Sequence, residues 1–430
     1  MNISIIGSGY VGTTVAACLA DLGHDVTNVD IDADIVETIN AGDSPIDEPQ
    51  LDGLIDEHSG ERLRATTDYD AILDTELTFL TLTTPSNPDG SLDTSIIDAA
   101  TEQLGETLAA KDGHHSVVVK STVVPGTTRE QLIPILERTS GGVVGDELHV
   151  ATNPEFLREG SAVSDFLDPD RVVVGTSDDR IRDQLREVYS PLDGVPGEKL
   201  FETDVSTAAM IKYTNNSFLA SKVSLINDIG NVCKEFGIDT YEVADALKLD
   251  DRISERFLRS GLGWGGSCFP KDVAAITHAA TERGYQPAML EAAVEVNDRQ
   301  PRRLLSLMDR HVRVEGKPVA VLGLSFKPDT DDTRGSRAIP VIDGLQERGA
   351  NVVAYDPAAT ENMREHFPDI EYADSAQSAV EGAVAALVVT DWAEIERLDD
   401  ELDRMATPVV IDGRNAIDRR DGIVYEGLTW

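Results

Sequence analysis

At 430 residues the chain is too long for one ordinary core, given roughly 100–200 residues per domain, and a hydrophobic share of 41% excludes a disordered polymer. Its 78 acidic and 37 basic residues leave a net charge of −41, which excludes nucleic acid and anionic membranes as electrostatic partners. Only ten of the basic residues are lysine. So acidic and lysine-poor a surface points to a salt-loving source, and an anionic substrate would need a local island of positive charge.

Three cysteines, Cys18, Cys233 and Cys268, are too few and too scattered for a disulfide framework or a Cys-x-x-Cys metal site, so no metal is expected. The start "MNISIIGSGY" lacks a basic leader and no segment holds eighteen uninterrupted apolar residues, which reads as a cytoplasmic protein.

In chain order, residues 2–30 read as strand, glycine turn, helix and strand, a βαβ unit. Apolar runs at 77–85, 115–123, 148–156 and 170–177 alternate with helical or loop stretches and predict a parallel sheet covered on both faces. From Thr203 the pattern turns helical to about residue 310. A second βαβ run begins at "KPVAVLGLSF" (317–326), continues to "NVVAYDP" (351–357), and adds "AVAALVVTDW" and "TPVVIDGRN". The expected fold is α/β: two Rossmann-like, doubly wound parallel-sheet domains, 1–200 and 311–430, joined by a central helical region, 201–310.

Gly7, Gly9 and Gly12 form G-x-G-x-x-G between the first strand and helix, and Asp30 ends the next strand. Gly7 makes the tight turn, Gly9 lets the backbone approach a pyrophosphate, and Gly12 lets helix and strand pack closely. Asp30 suits the adenosine ribose hydroxyls and would repel a 2′-phosphate, so the expected cofactor is NAD. Thr83-Thr84-Pro85 and Lys120-Ser121-Thr122 end later strands, where ligands collect in such sheets.

In "DVSTAAMIKYTNNSFLASKVSLI" the residues Val205, Ala208, Ala209, Leu219, Val223 and Ile226 share one helical face with Lys212 and Asn216. An ammonium and an amide on an apolar stripe are costly to bury unless a polar or anionic group meets them, which suits a developing oxyanion. Four of the ten lysines, Lys120, Lys212, Lys271 and Lys327, fall in or beside such motifs.

The run "GLGWGGSCFPKD" (261–272) sets Cys268 after Gly265, Gly266 and Ser267 and near a helix start expected around Pro270. A helix N-terminus and nearby cations favour the thiolate. Cys18 and Cys233 lie inside apolar helical patterns and read as core residues. Beside a nicotinamide, a thiolate can add to an aldehyde, and the thiohemiacetal can be oxidised to a thioester that water cleaves. Asp272, one turn on, could orient that water or take its proton.

These motifs, together with "NPEFLREGSAV", "MIKYTNN", "GLSFKPDTDDTR" and "DGRN" in the same order, resemble the UDP-glucose/GDP-mannose dehydrogenase family over the whole chain. The resemblance implies an NAD-dependent four-electron oxidation of a nucleotide sugar's C6 alcohol to a carboxylate, with UDP-glucose the expected substrate. GDP-mannose and UDP-N-acetylmannosamine are the alternative substrates, and a non-catalytic nucleotide-sugar binding protein is the less favoured alternative. It makes Cys268 the nucleophile, Lys212 and Asn216 stabilisers of charge on the C6 oxygen, and Asp272 with Thr122 holders of the catalytic water. Glu155 would be the base for thioester hydrolysis, with Glu159 near substrate and nicotinamide. It adds Tyr10, Val11, Lys271 and Arg334 to the cofactor contacts. Phe156, Leu157, Arg158, Phe257, Leu258, Gly261, Gly265, Phe326, Lys327 and Arg414 would line the nucleotide-sugar pocket, in the cleft between lobes. Arg252 would reach the partner's site, implying a homodimer.

Overall fold

The computed structural model describes residues 1–430. Two compact units divide the chain, Met1–Asn215 and Asn216–Trp430.

The first unit is built on an eight-stranded sheet: β1 Asn2–Ile6, β2 Asp25–Val29, β3 Leu63–Thr66, β4 Leu77–Leu80, β5 His115–Val119, β6 Leu148–Thr152, β7 Val172–Gly175 and β8 Leu200–Thr203. Their spatial order is β3-β2-β1-β4-β5-β6-β7-β8. The inner strands are buried on both faces, as β5 and β6 are along their whole length. Such strands must be near-continuously apolar and β-branched, which is why they are legible as runs. One apolar layer, around Ile3, Ile5, Leu19 and Phe79, packs beneath helix Tyr10–Asp21, and another, around Ile6, Leu80, Leu104 and Leu136, fills the opposite face. The chain reverses direction across the sheet between β1 and β4, and the loops after those two strands carry the glycine motif and Thr83–Pro85. Ligands bind at such switch points in doubly wound sheets. The run at 170–177, expected to be parallel with the rest, instead runs antiparallel where β7 meets β6 at Thr152 and Gly175. Pairing direction follows from the connection between strands. Here the 153–171 segment holds only a six-residue helix, Ala162–Leu167, instead of a full crossover.

The second unit opens with helices. Helix Val205–Glu235 runs into it from the first unit, followed by Thr240–Leu247, Phe269–Glu282 and Ala288–Asp309. Its sheet comprises β9 Pro318–Leu322, β10 Asn351–Tyr355, β11 Glu371–Tyr372, β12 Ala385–Val388, β13 Val409–Asp412 and β14 Val424–Gly427. The order is β11-β10-β9-β12-β13-β14, parallel throughout. Cores on its two faces form around Val319, Val321 and Leu387 and around Leu322, Ala386 and Val388. No helix is long and apolar enough to cross a membrane.

Candidate active site

The glycine turn after β1 is a cradle with one open side. Gly7 has φ +101°, and a Cβ on Gly12 would lie 1.9 Å from the Gly7 carbonyl oxygen, so both positions exclude any side chain. A Cβ on Gly9 meets nothing within 4 Å. Gly9 is also the N-cap of helix Tyr10–Asp21, and no side chain caps that helix, which leaves its first amides for an anion. Val11 packs on the core below. Asp30 sits at the end of β2, where its carboxylate accepts from the Ser8 amide at 2.5 Å and the Asp32 amide at 3.0 Å. These features fit a dinucleotide: Gly7, Gly9, Gly12 and the first turn would hold its pyrophosphate, and Asp30 its ribose. Thr81, which sequence reasoning passed over, braces the turn by donating to the Ile6 and Gly7 carbonyls. Thr84 donates to the Thr122 carbonyl at 2.8 Å, so the loops after β4 and β5 meet, while Thr83 and Pro85 are exposed.

The loop after β6 carries Glu155–Glu159. Lys212 donates to Glu155 at 2.6 Å, with side chains only 5% and 9% exposed. Burial alone would raise the Glu155 pKa, but Lys212, the Leu157 amide and the charge of Lys120 together hold it below the usual carboxylate range. Phe156 stacks beneath the Arg171 guanidinium at 4.0 Å and faces the Lys212 ammonium at 5.6 Å. Arg171 is in turn bonded to Asn215 at 2.7 Å. Arg158 spends its planar fork on Asp165, at 2.6 and 3.0 Å.

Lys120 is buried behind this loop. Its ammonium donates to Asn153 at 2.9 Å and to Tyr189 at 3.3 Å, and lies 5.8–5.9 Å from the rings of Phe79, Phe166 and Tyr189. Burial pushes its pKa down from 10.5 to about 8. Its charge therefore destabilises the fold below pH 8, and the cost fades between there and 10.5, where the unfolded chain also loses the proton. Lys120→Met is expected to raise stability at pH 7 by at most about 3 kcal/mol, less what the buried Glu155 anion loses with the Lys120 charge, with the gain vanishing above pH 10.5. Thermal melts across pH check this; a lower melting temperature at pH 7 would contradict it.

In the second unit Cys268 is the N-cap of helix Phe269–Glu282, again with no side-chain cap, and its thiol is exposed. Cys18 and Cys233 are buried. Asp272, 1% exposed, accepts from Asn216 at 2.6 Å and from Lys271 at 2.6 Å. Lys212 and Asn216, both 4% exposed, are thus each committed to a carboxylate, one turn apart on helix Val205–Glu235.

The glycines of the cysteine loop make room for the chain's own backbone, although the sequence suggested a ligand as the reason. A Cβ on Gly265 would lie 2.1 Å from the Gly335 carbonyl, and one on Gly261 2.7 Å from that of Gly413. The Gly266 amide donates to the Arg334 carbonyl at 2.9 Å, so the 261–268 loop is braced by the loop after β9. Arg414 bonds the Val389 and Gly263 carbonyls at 2.7 and 3.2 Å. Asp412 holds that turn by accepting from the amides of Arg414, Asn415, Ala416 and Ile417. Lys327 lies over the Phe326 ring at 5.6 Å. Leu258 is buried and Phe257 is half-exposed at φ 62°. Arg334 forks onto Asp332 and Arg252 onto Asp250, their side chains 68% and 89% exposed.

Residues 1–193, 206–299 and 320–419 match the NAD binding, central and UDP binding domains of the UDP-glucose/GDP-mannose dehydrogenase family. The chain is 58% identical to UDP-glucose 6-dehydrogenase AglM of Haloferax volcanii over 429 residues, covering 100% of both. It is 37% identical to GDP-mannose 6-dehydrogenase of Pseudomonas aeruginosa, covering 94% of this chain and 90% of that one. A solved UDP-glucose dehydrogenase from Pyrobaculum islandicum superposes with a TM-score of 0.94 at 39% identity, covering 100% of this chain and 98% of that one.

Proposed function

The chain belongs to the UDP-glucose/GDP-mannose dehydrogenase family, and from that premise we propose that it oxidises the C6 alcohol of UDP-glucose to the carboxylate of UDP-glucuronate. The observation that carries this reading is the exposed Cys268 thiol at an uncapped helix N-terminus, one turn before the buried Asp272. Neither binding nor a two-electron alcohol oxidation needs a thiol there.

Held by the glycine turn and Asp30, two NAD+ in succession would each supply a two-electron oxidant, one for the alcohol and one for the thiohemiacetal. The chain's own residues do the rest. The Cys268 sulfur adds to the C6 aldehyde, forming a C–S bond and a thiohemiacetal, and oxidation of that carbon gives a thioester. Water then breaks the C–S bond, giving carboxylate and free thiol. Lys212 and Asn216 stabilise negative charge on the C6 oxygen, and Asp272 with Thr122 orients the water. In the observed pairing Glu155 is a weak base, because Lys212 stabilises its anion. When Lys212 turns to the substrate oxygen, Glu155 loses that stabilisation and becomes the stronger base that hydrolysis needs. Residues 1–200 hold the cofactor, 311–430 the nucleotide, and 201–310 the cysteine loop.

We assign the active form to a homodimer. Phe218, Leu225 and Val232 repeat every seventh residue on helix Val205–Glu235 and are 68%, 58% and 53% exposed, an apolar stripe suited to a second copy. Arg252, exposed and paired with Asp250 in the single chain, would turn to that copy's site in the dimer.

The test is an assay of UDP-glucose, GDP-mannose and UDP-N-acetylmannosamine in molar salt, with sedimentation of the same preparation. Two NADH per UDP-glucose, UDP-glucuronate as product and a dimer are expected. One NADH with free aldehyde would sink the four-electron mechanism, and preferred turnover of another sugar would reassign the substrate.

A further inference from the structure

The loop "SPIDEPQ" between helices Ala33–Ala41 and Leu51–His58 places Glu48 in the interior, 5% exposed. Its carboxylate takes three long-range donors. One oxygen accepts from the Gly160 amide at 2.8 Å and from the Tyr10 hydroxyl, and the other accepts from the Ala162 amide at 2.7 Å. No cation pairs with it among the ion pairs of the first unit. A buried anion is tolerated only when its lone pairs are met by well-aimed donors, and three such donors from two distant segments meet that condition. Gln50, two residues on, holds φ +72° and lets the chain turn at this point.

The two segments that Glu48 joins are functionally distinct. Tyr10 is the first residue of the helix that follows the glycine turn, and Gly160 directly follows Glu159 in the loop that also carries Glu155. Tyr10 feels the Glu159 charge as well as that of Glu48, which places Glu159 close to the same phenol. Burial, then the bond to Glu48, pushes the Tyr10 pKa far up, so the phenol keeps its proton and stays a donor.

We infer that Glu48 is a positioning residue that clamps the Glu155–Ala162 loop to the cofactor-binding helix and so sets Glu159 at the nicotinamide end of the site. This rests on the cofactor and Glu159 assignments above and on nothing about the sugar. The clamp also couples the two segments: cofactor that orders the Tyr10 turn orders the loop, and the loop's order returns as cofactor affinity.

The experiment compares wild type with Glu48→Gln, Glu48→Ala and Tyr10→Phe by NADH fluorescence titration, by calorimetric titration of UDP, and by circular dichroism melts. A glutamine in place of Glu48 offers one acceptor and turns a donor against one of the three others. Both Glu48 variants are expected to weaken NADH binding about tenfold or more while UDP affinity stays within about twofold. Tyr10→Phe, which leaves both amides capped, should lose less, and Tyr10→Phe added to Glu48→Ala should lose nothing further, because the phenol's partner is already gone. Unchanged NADH affinity in a folded Glu48 variant overturns the inference, as does an equal loss of NADH and UDP binding, the mark of a general structural defect. If Glu48 variants do not fold, Tyr10→Phe decides: unchanged NADH affinity there overturns it too. Failure of wild type to oxidise any nucleotide sugar would refute the proposed substrate and leave these binding outcomes readable.

Discussion

Replacing Cys268 with serine is expected to lower release of the acid product by at least about four orders of magnitude, with UDP-glucose still bound. The physical reason is charge. A thiolate is a strong nucleophile near neutral pH, and the uncapped amides at the start of helix Phe269–Glu282 favour negative charge on the sulfur. A serine hydroxyl keeps its proton there, and an ester formed through oxygen is cleaved more slowly than a thioester. Rapid quench followed by mass spectrometry of the intact protein should reveal a uronyl adduct in wild type and none accumulating at the wild-type rate in the variant. Turnover within a few-fold of wild type would remove Cys268 from its assigned role. Because Cys268 is exposed, the substitution opens no cavity and its effect reads directly on the chemistry.

Lys212→Ala carries the second largest expected effect, about a thousandfold loss in kcat, the range seen when one preorganised oxyanion donor is removed. It also makes a prediction with a sign. Glu155 is held below the usual carboxylate range against its burial, chiefly by Lys212. Without the ammonium, burial prevails and the Glu155 pKa rises. A base must be unprotonated to act, so activity falls as pH drops through that pKa, and the acidic limb of the kcat/KM profile should move to higher pH in the variant. An acidic limb that stays in place would show that Glu155 is not the group titrating. Stability should follow the same logic. A buried carboxylate stripped of its partner costs about 3–5 kcal/mol, and Lys212→Ala with Glu155→Gln should recover much of that without recovering rate.

The Lys212 variant depends on a pairing that the linear pattern could not supply. The stripe of Val205, Ala208, Ala209 and Ile226 brings Lys212 and Asn216 onto one helix face, and both are buried as that pattern requires. The stripe says nothing of which anion each meets. Glu155 comes from a loop 57 residues away and Asp272 from a helix 56 residues away. The antiparallel β7 was equally illegible, because an apolar run carries no direction. Glu48 left no signal either: an acidic residue between prolines looks like solvated loop, and composition cannot say which few of 78 acidic side chains are buried.

Local sterics and periodicity enforce the features that are legible in the linear chain. Glycines at 7 and 12 are required where a Cβ would collide or the backbone turns left-handed, Gly9 keeps the cradle open, apolar β-rich runs fill strands covered on both faces, and the spacing of four sets Asp272 one turn after Cys268 in the helix that begins there. Folding alone sets the partner of each buried polar group: Lys212 with Glu155, Asn216 with Asp272, Glu48 with Tyr10 and the Gly160 amide. Those contacts span tens to over a hundred residues, and their energies exist only once burial has removed the water that would otherwise solvate each partner alone.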